Sequence, residues 1–182
     1  RLAVGGATEW YGVQPDVWCF GKVIGGGLNV GAFGASRDVM AHLAPIGGVY
    51  QAGTLSGNPL ATAAGLCALG LLDADAYERL DAIAAALADG LTEVFASAGV
   101  PAVVPRVGPL VGLFFGDTAP TNFDEADVLA KNGRYARFFH EALRRGVAFA
   151  PGPYEVLFPS LAHDEAVIAR TLEVCAEAAS VL

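Results

Sequence analysis

The sequence contains very little lysine. Of eleven lysine and arginine residues in a chain of 182, only two, Lys22 and Lys131, are lysines. Lysine is therefore not used here as routine surface charge. Acidic residues outnumber basic ones, and the formal net charge is −8. Because nucleic acids and anionic membranes attract proteins through clustered positive charge, this balance argues against both as partners.

Cysteine is also scarce, and its positions indicate no metal site. Cys19, Cys67 and Cys175 lie far apart in apolar surroundings and form no CxxC pair, and the three histidines show no ligand spacing. We expect no metal and three buried, reduced thiols, as in a cytoplasmic protein. The N-terminus has neither a signal peptide nor a transit sequence, and it does not begin with methionine. We therefore expect the sequence to be part of a longer protein.

Long apolar runs are absent, although the composition is apolar. No stretch approaches the roughly 20 residues of a membrane span, and the longest candidate, residues 60–72, is too short. Hydrophobic residues nevertheless make up 54% of the chain, above the usual value of about 45–50%. The mean hydropathy of +0.46 agrees. We expect some apolar surface to be covered by a partner.

Glycine, proline and the spacing of apolar residues predict an α/β chain in three parts. Residues 1–72 are expected to form a glycine-rich α/β layer, residues 73–99 a connecting helix, and residues 100–182 a compact α+β domain. A helix at 59–72 is expected to be buried because it is apolar all round. The other predicted elements are strands at 17–20, 31–36, 101–107, 110–115 and 147–150, and helices at 37–43, 75–98, 131–145 and 164–181.

Lys22 lies between an apolar run and three consecutive glycines, in the sequence FGKVIGGG at residues 20–27. An exposed ammonium is not expected there, and burial would lower the pKa of a lysine, which favours an amine nucleophile. The glycines permit positive φ and close approach of the backbone to a ligand. Residues 17–20 are predicted to be a buried strand, so Lys22 would follow its carboxyl end, where open α/β sheets bind ligands. The pattern predicts a pocket lysine for Schiff-base chemistry.

A second loop, YQAGTLSGNP at residues 50–59, has the features of a phosphate site. Gly53 exposes backbone N–H groups, Thr54 offers a hydroxyl, and a helix is predicted to begin at Pro59. Ser56 is better explained as a cap of that helix, so it is left out of the site. Neither glycine group matches GxGxxG or the P-loop, which argues against a nucleotide. A lysine amine with a separate phosphate loop suggests pyridoxal phosphate.

These two stretches resemble a known family. Residues 20–27, followed by VGAFG at 30–34, are similar to the lysine segment of the class III aminotransferases, which depend on pyridoxal 5′-phosphate (PLP). Adding residues 50–61 narrows the resemblance to the glutamate-1-semialdehyde 2,1-aminomutases within that family. Similarity extends from about Gly5 to Ala176, and it includes three later stretches, at 112–115, 146–151 and 160–163.

The resemblance implies a fold-type-I PLP-dependent transferase, with this chain as the C-terminal part of the large domain plus the α+β small domain. Lys22 would form the internal aldimine with PLP and move protons between substrate carbons. Gly53 and Thr54 would bind the cofactor phosphate in the active site of the other subunit of a homodimer. Glu155 matches a glutamate of the aminomutases and is assigned to the substrate; related aminotransferases place a substrate-binding arginine in that region.

The implied reaction converts the amino-aldehyde glutamate-1-semialdehyde to 5-aminolevulinate, a step in tetrapyrrole biosynthesis. The amino form of the cofactor, PMP, would give its nitrogen to the aldehyde carbon, and the second amine would return to the cofactor. Two alternatives stay open: an ω- or β-amino-acid transaminase of the same class, or a fragment that only binds and dimerises. The family's N-terminal half, with the aspartate that pairs with the pyridine nitrogen, would precede Arg1. This chain alone is therefore expected to be inactive.

Overall fold

The computed structural model describes all 182 residues, and contacts within the chain divide it into two units, essentially residues 3–76 and 77–182. The first unit contains α1 (Gly6–Tyr11), β1 (Val17–Gly21), a 3₁₀ helix (Lys22–Gly25), β2 (Gly31–Ala35), α2 (Arg37–Met40) and α3 (Pro59–Gly70). Most of α4 (Ala74–Ser97) lies in the second unit, with β3 (Arg106–Val107), β4 (Leu110–Val111), α5 (Phe123–Ala130), α6 (Arg134–Arg144) and α7 (Glu165–Ala179).

In the first unit, β1 and β2 form an antiparallel hairpin. Its register pairs Val17 with Ala35 and Gly21 with Gly31. Both strands are confirmed to within a residue of their predicted bounds. Residues 22–30 therefore form the connection between the strands, and Lys22 is its first residue.

The predicted burial of the first unit is wrong. Helix α3 was expected to be buried because it has no polar face, yet Leu60 is 75% exposed and Leu66 is 70% exposed. Its buried residues are Ala61 and Gly65, and β1 is exposed or half-buried along its whole length. Apolar surface is normally buried by neighbouring segments, but this chain buries only one side of α3.

No single helix is long and apolar enough to span a membrane. The bent pair of α3 and α4 meets the criteria of length and composition only when the two helices are taken together.

The second unit has an aromatic core. Leu87 and Leu91 point into it from α4, which is amphipathic as predicted. At the centre, the ring of Phe95 packs against Phe115 at a centroid distance of 5.0 Å and against Phe138 at 5.4 Å. Both pairs have edge-to-face (T-shaped) geometry. This geometry is favoured by the quadrupoles of the rings. Most of the helix that was predicted as a connector therefore contributes to this core.

The other elements of the second unit follow the prediction only in part. Strands β3 and β4 are much shorter than the predicted strands 101–107 and 110–115, and α5 was not predicted. Strands β3 and β4 pair antiparallel, and α7 begins after Asp164, whose carboxylate accepts a hydrogen bond from the N–H of Val167 at 2.9 Å. Residues 147–150 are not a strand, because their backbone pairs with no neighbouring strand. The helix predicted from residue 131 begins only at Arg134, because Gly133 adopts a φ of +78° that a continuous helix cannot accommodate.

The prediction of three buried thiols is wrong for two of them. Cys19 and Cys67 are exposed, and only Cys175 is buried, where burial raises its pKa to about 12. Because the thiolate is the reactive form, we expect DTNB at neutral pH to modify two cysteines in the native chain and all three after unfolding. Cys175→Ala should leave the native count unchanged, and Cys67→Ala should lower it by one. Reaction of Cys175 in the native chain would contradict this prediction.

Candidate active site

Lys22 lies at the C-terminal end of β1 in a strained backbone conformation. Its φ is +54°, and it is the only non-glycine residue of the chain with a positive φ. The left-handed region costs an L-residue roughly 1–2 kcal/mol, so such residues persist only where the surroundings or a function require them. The side chain is exposed and has no acidic partner within the chain.

The prediction that Lys22 is buried is therefore wrong for this chain. The residues expected to bury it, Phe20 and Val23 among them, are themselves exposed. The sequence shows that the flanks are apolar, but burial depends on what lies over them, and no segment of this chain covers Phe20, Lys22 or Val23. Residues 22–27, from Lys22 through the three glycines, are called the lysine turn below.

The glycines of the lysine turn allow it to pack backbone to backbone against α3. A Cβ at Gly26 would lie 2.4 Å from the carbonyl oxygen of Ala64. A Cβ at Gly65 would lie 2.2 Å from the carbonyl oxygen of Ile24. Both distances are far inside van der Waals contact, so each side of this interface requires a glycine. The lysine turn is thereby fixed against α3, at a point about 9 Å along the helix from its first residue.

Residues 50–58, the Thr54 loop, lead directly into the N-terminus of the same helix. Asn58 caps α3: its Oδ1 accepts a hydrogen bond from the N–H of Ala61 at 2.9 Å, and its Nδ2 donates to the carbonyl of Leu55 at 2.9 Å. The predicted start of the helix at Pro59 is confirmed. The lysine turn and the Thr54 loop are thus both attached to α3.

Three hydrogen-bond donors of the Thr54 loop have no acceptor within the chain. They are the N–H groups of Gly53 and Thr54 and the Thr54 hydroxyl, and both residues are exposed. This donor set fits an anionic oxygen ligand such as a phosphate ester. Ser56, predicted to cap α3, does not cap it; its Oγ lies against Gly53, 2.8 Å from where a Cβ would be.

Glu155 lies in the second unit, on an exposed loop with anchored ends. Residues 150–157 are called the Glu155 loop below. At its start, the hydroxyl of Tyr135 donates to the carbonyl of Ala150 at 2.9 Å. At its end, Leu157 exchanges two backbone hydrogen bonds with Val111, of 2.8 and 3.2 Å. Burial, and to a smaller extent the negative charge of Glu155, raise the pKa of Tyr135 to about 12, so its hydroxyl stays a donor.

A contact beside Glu155 was not predicted from the sequence. The hydroxyl of Tyr154 donates to Oδ1 of Asp127 at 2.9 Å, and Lys131 Nζ donates to Oδ2 of the same carboxylate at 2.5 Å. The hydrogen bond from Lys131, and then that from Tyr154, hold the pKa of Asp127 below its usual value. The spacing of Asp127 and Lys131, four residues apart on a helical segment, was the available signal for the ion pair. Nothing local in the sequence indicated Tyr154.

The chain is similar to transaminases and to an aminomutase of known structure. A profile of the family described as "Aminotransferase class-III" matches residues 4–178. An omega-transaminase from Sphaerobacter thermophilus is 30% identical with a TM-score of 0.89, over 98% of this chain and 41% of that one. A beta-phenylalanine aminotransferase from Variovorax paradoxus is 28% identical with a TM-score of 0.77, over 97% of this chain and 41% of that one.

A glutamate-1-semialdehyde-aminomutase from Pseudomonas aeruginosa PAO1, in complex with PMP, is 25% identical with a TM-score of 0.82. The match covers 97% of this chain and 41% of that one. The chain thus spans about two fifths of the length of the solved structures it matches. The predicted fold, part of a fold-type-I PLP enzyme, is confirmed by these matches. The chain therefore belongs to the class III aminotransferases, a family whose cofactor is pyridoxal 5′-phosphate.

Proposed function

We propose that the chain is part of an enzyme that transfers amino groups with PLP, and that Lys22 holds the cofactor covalently. The observation that carries this proposal is the conformation of Lys22. A strained lysine is kept at a position that a glycine would occupy without strain. An ordinary surface lysine would not explain that choice. Its exposed amine has no acidic partner and is available to the aldehyde carbon of PLP.

Gly53 and Thr54 are proposed to bind the cofactor phosphate. Their two N–H groups and one hydroxyl are free to donate, and the nearby N-terminus of α3 adds partial positive charge. Residues 38–78 contain no lysine or arginine, so the donors here are neutral groups. These donors are proposed to serve the second subunit of a homodimer. The apolar surface that the first unit leaves exposed supports a subunit contact.

When bound, PLP supplies an electron-withdrawing ring and a carrier for the amino group. The contribution of this chain to the reaction then comes from Lys22. Its amine holds the cofactor between turnovers, and Nζ moves a proton from one substrate carbon to another. The position of Lys22 on a turn fixed against α3 keeps the start of this side chain in place while its end moves.

For the substrate, we propose glutamate-1-semialdehyde, which an aminomutase converts to 5-aminolevulinate by moving the amino group within one molecule. Glu155 supports this choice. Its carboxylate is exposed, and residues 146–169 contain no lysine or arginine. An exposed carboxylate with no lysine or arginine nearby in the sequence suits the cationic amino group of a substrate. The substrate-binding arginine expected here in related aminotransferases has no counterpart in it.

A transaminase of ω- or β-amino acids is the second candidate. The omega-transaminase is 30% identical to this chain, against 25% for the aminomutase. The two activities differ in one respect that can be measured. A transaminase needs a separate amino acceptor, whereas a mutase needs only one substrate.

The test is to supply glutamate-1-semialdehyde alone to the longest protein that contains these 182 residues, loaded with PMP. A mutase is expected to form 5-aminolevulinate over many turnovers. Turnover of a β- or ω-amino acid that depends on added pyruvate would favour the transaminase. Bound PLP without turnover in the 182-residue chain alone would indicate that this part only binds. Absence of both reactions in the longer protein would contradict the proposal.

A further inference from the structure

The Glu155 loop is held at its two ends by buried residues. Tyr135, which binds the start of the loop at Ala150, and Val111, which binds its end at Leu157, are both buried. Between these anchors, the N–H of Glu155 donates to the carbonyl of Gly152 at 3.2 Å, which closes a turn. The two ends of the loop are thus fixed, and the turn between them is held by further contacts.

Tyr154, the residue before Glu155, makes those contacts. Its hydroxyl donates to Asp127 Oδ1 at 2.9 Å, and its ring stacks on Phe123 with a centroid distance of 5.8 Å and an interplanar angle of 16°. Phe123 and Asp127 both lie on α5. Lys131, just after that helix, binds the other carboxylate oxygen and so orients Asp127. The turn that carries Glu155 is therefore attached to α5 by one side chain.

Glu155 has no hydrogen bond of its own side chain to the rest of the chain. The region that its carboxylate can reach therefore depends on the position of its backbone, and one peptide bond joins that backbone to Tyr154. Any change in the contact between Tyr154 and α5 is transmitted to Glu155. The contact lies at the surface, since Tyr154 is 49% exposed and Phe123 is 70% exposed, so a substitution there can loosen the loop without disturbing the core.

We propose that Asp127 is a positioning residue, which through Tyr154 holds the Glu155 loop so that its carboxylate faces a cationic amino group of the substrate. This proposal rests on the proposed role of Glu155 as a substrate contact. Asp127 itself touches no substrate. Its carboxylate, oriented by Lys131 on one side, accepts the Tyr154 hydroxyl on the other, and the stacked ring of Phe123 limits rotation of Tyr154.

The first test needs neither cofactor nor substrate. Tyr154→Phe removes the hydroxyl and keeps the ring, and Asp127→Asn removes the charge and keeps the shape. We expect either change to speed amide hydrogen exchange of Glu155, measured by NMR in the 182-residue chain, by roughly 2- to 10-fold, as for loss of one hydrogen bond. Asp124→Asn is the matched control, because Asp124 lies on the same helix but the Tyr154 hydroxyl donates to Asp127 instead. Its exchange should equal that of the native chain.

The second test is kinetic and uses the longest active protein. Tyr154→Phe and Asp127→Asn are expected to raise the KM for glutamate-1-semialdehyde roughly 2- to 10-fold with a smaller change in kcat, and Asp124→Asn should leave both unchanged. Glu155→Gln should raise the KM further. Adding Tyr154→Phe to Glu155→Gln should then have little additional effect, because the two residues act through one carboxylate.

The outcomes separate the positioning role from the proposed function. If Glu155→Gln raises the KM but Tyr154→Phe and Asp127→Asn do not, the positioning role is overturned and the proposed role of Glu155 stands. If Glu155→Gln leaves the KM unchanged, the substrate role of Glu155 fails and the positioning role fails with it. If exchange at Glu155 is equal in all variants, the contact does not hold the loop, and the proposal is overturned without reference to activity.

Discussion

Replacing Lys22 with alanine is expected to abolish covalent binding of PLP. In the longest protein that contains these residues, it should also lower kcat by about 10²–10⁴-fold, the usual contribution of a positioned proton-transfer group. Covalent binding is measured by reducing the PLP-treated protein with borohydride and mapping the modified peptide. The 182-residue chain has only two lysines, so the peptide map needs to distinguish few amines. Label at Lys22 in the native chain and its loss in Lys22→Ala are the expected results.

Lys131 provides the matched control. Its ammonium donates to Asp127 at 2.5 Å, and that hydrogen bond raises its pKa, which disfavours the free amine that reacts with an aldehyde. Lys131→Ala should therefore leave the label at Lys22. The α-amine of Arg1 is a third amine in the 182-residue chain, and cleavage after Glu9 separates its peptide from that of Lys22. If Lys22→Ala carried as much label as the native chain, at Lys131 or at Arg1, the assignment would be contradicted.

Lys22→Gly separates the chemistry of Lys22 from its backbone strain. Both Lys22→Gly and Lys22→Ala remove the amine, so both should lose the label. Glycine accepts the φ of +54°, so Lys22→Gly should be the more stable of the two by about 1 kcal/mol in urea unfolding. Equal stability would show that the conformation of Lys22 carries no strain, and the observation behind its proposed role would lose its weight.

Most helices, though not α5, were predictable from sequence because their signals are local. The predicted bounds 75–98 and 164–181 lie close to the observed Ala74–Ser97 and Glu165–Ala179. The apolar stripe of α4 and the caps Asn58 and Asp164 depend only on residues within a turn or two. The same local signals could not show that residues 147–150 lack a partner strand. Pairing depends on which segment lies alongside.

Burial was the part that sequence could not provide. An apolar flank around Lys22 and an apolar α3 predicted burial, but burial depends on neighbouring segments. This chain buries only one side of α3 and leaves Phe20 and Val23, beside Lys22, exposed. The candidate site shows the same limit of sequence information, because contacts distant in sequence leave no local signal. Lys22 was found because lysine is rare and the glycines follow it directly, whereas Tyr154 and Asp127 lie 27 residues apart. No sequence period relates them, so their contact became visible only in three dimensions.

Gly65→Ala is expected to be the most damaging substitution in the first unit. The added Cβ would lie 2.2 Å from the carbonyl oxygen of Ile24, and neither partner is a side chain that could rotate away. The lysine turn must therefore separate from α3. Overpacking of this kind costs on the order of 1–3 kcal/mol, which outweighs the gain in helix propensity of about 1 kcal/mol or less that alanine brings. Urea unfolding of the 182-residue chain measures the net loss.

Gly70→Ala in the same helix is the control for this substitution. A Cβ at Gly70 would meet no atom within 4 Å, so alanine there should leave the free energy of unfolding unchanged or raise it by up to about 1 kcal/mol. A second measurement connects packing to chemistry. Because Gly65 holds the turn that carries Lys22, Gly65→Ala should also reduce the rate of borohydride-trapped labelling at Lys22, and Gly70→Ala should not. If Gly65→Ala left both stability and labelling at the native level, the lysine turn would not be held by α3. The position of Lys22 would then need another support.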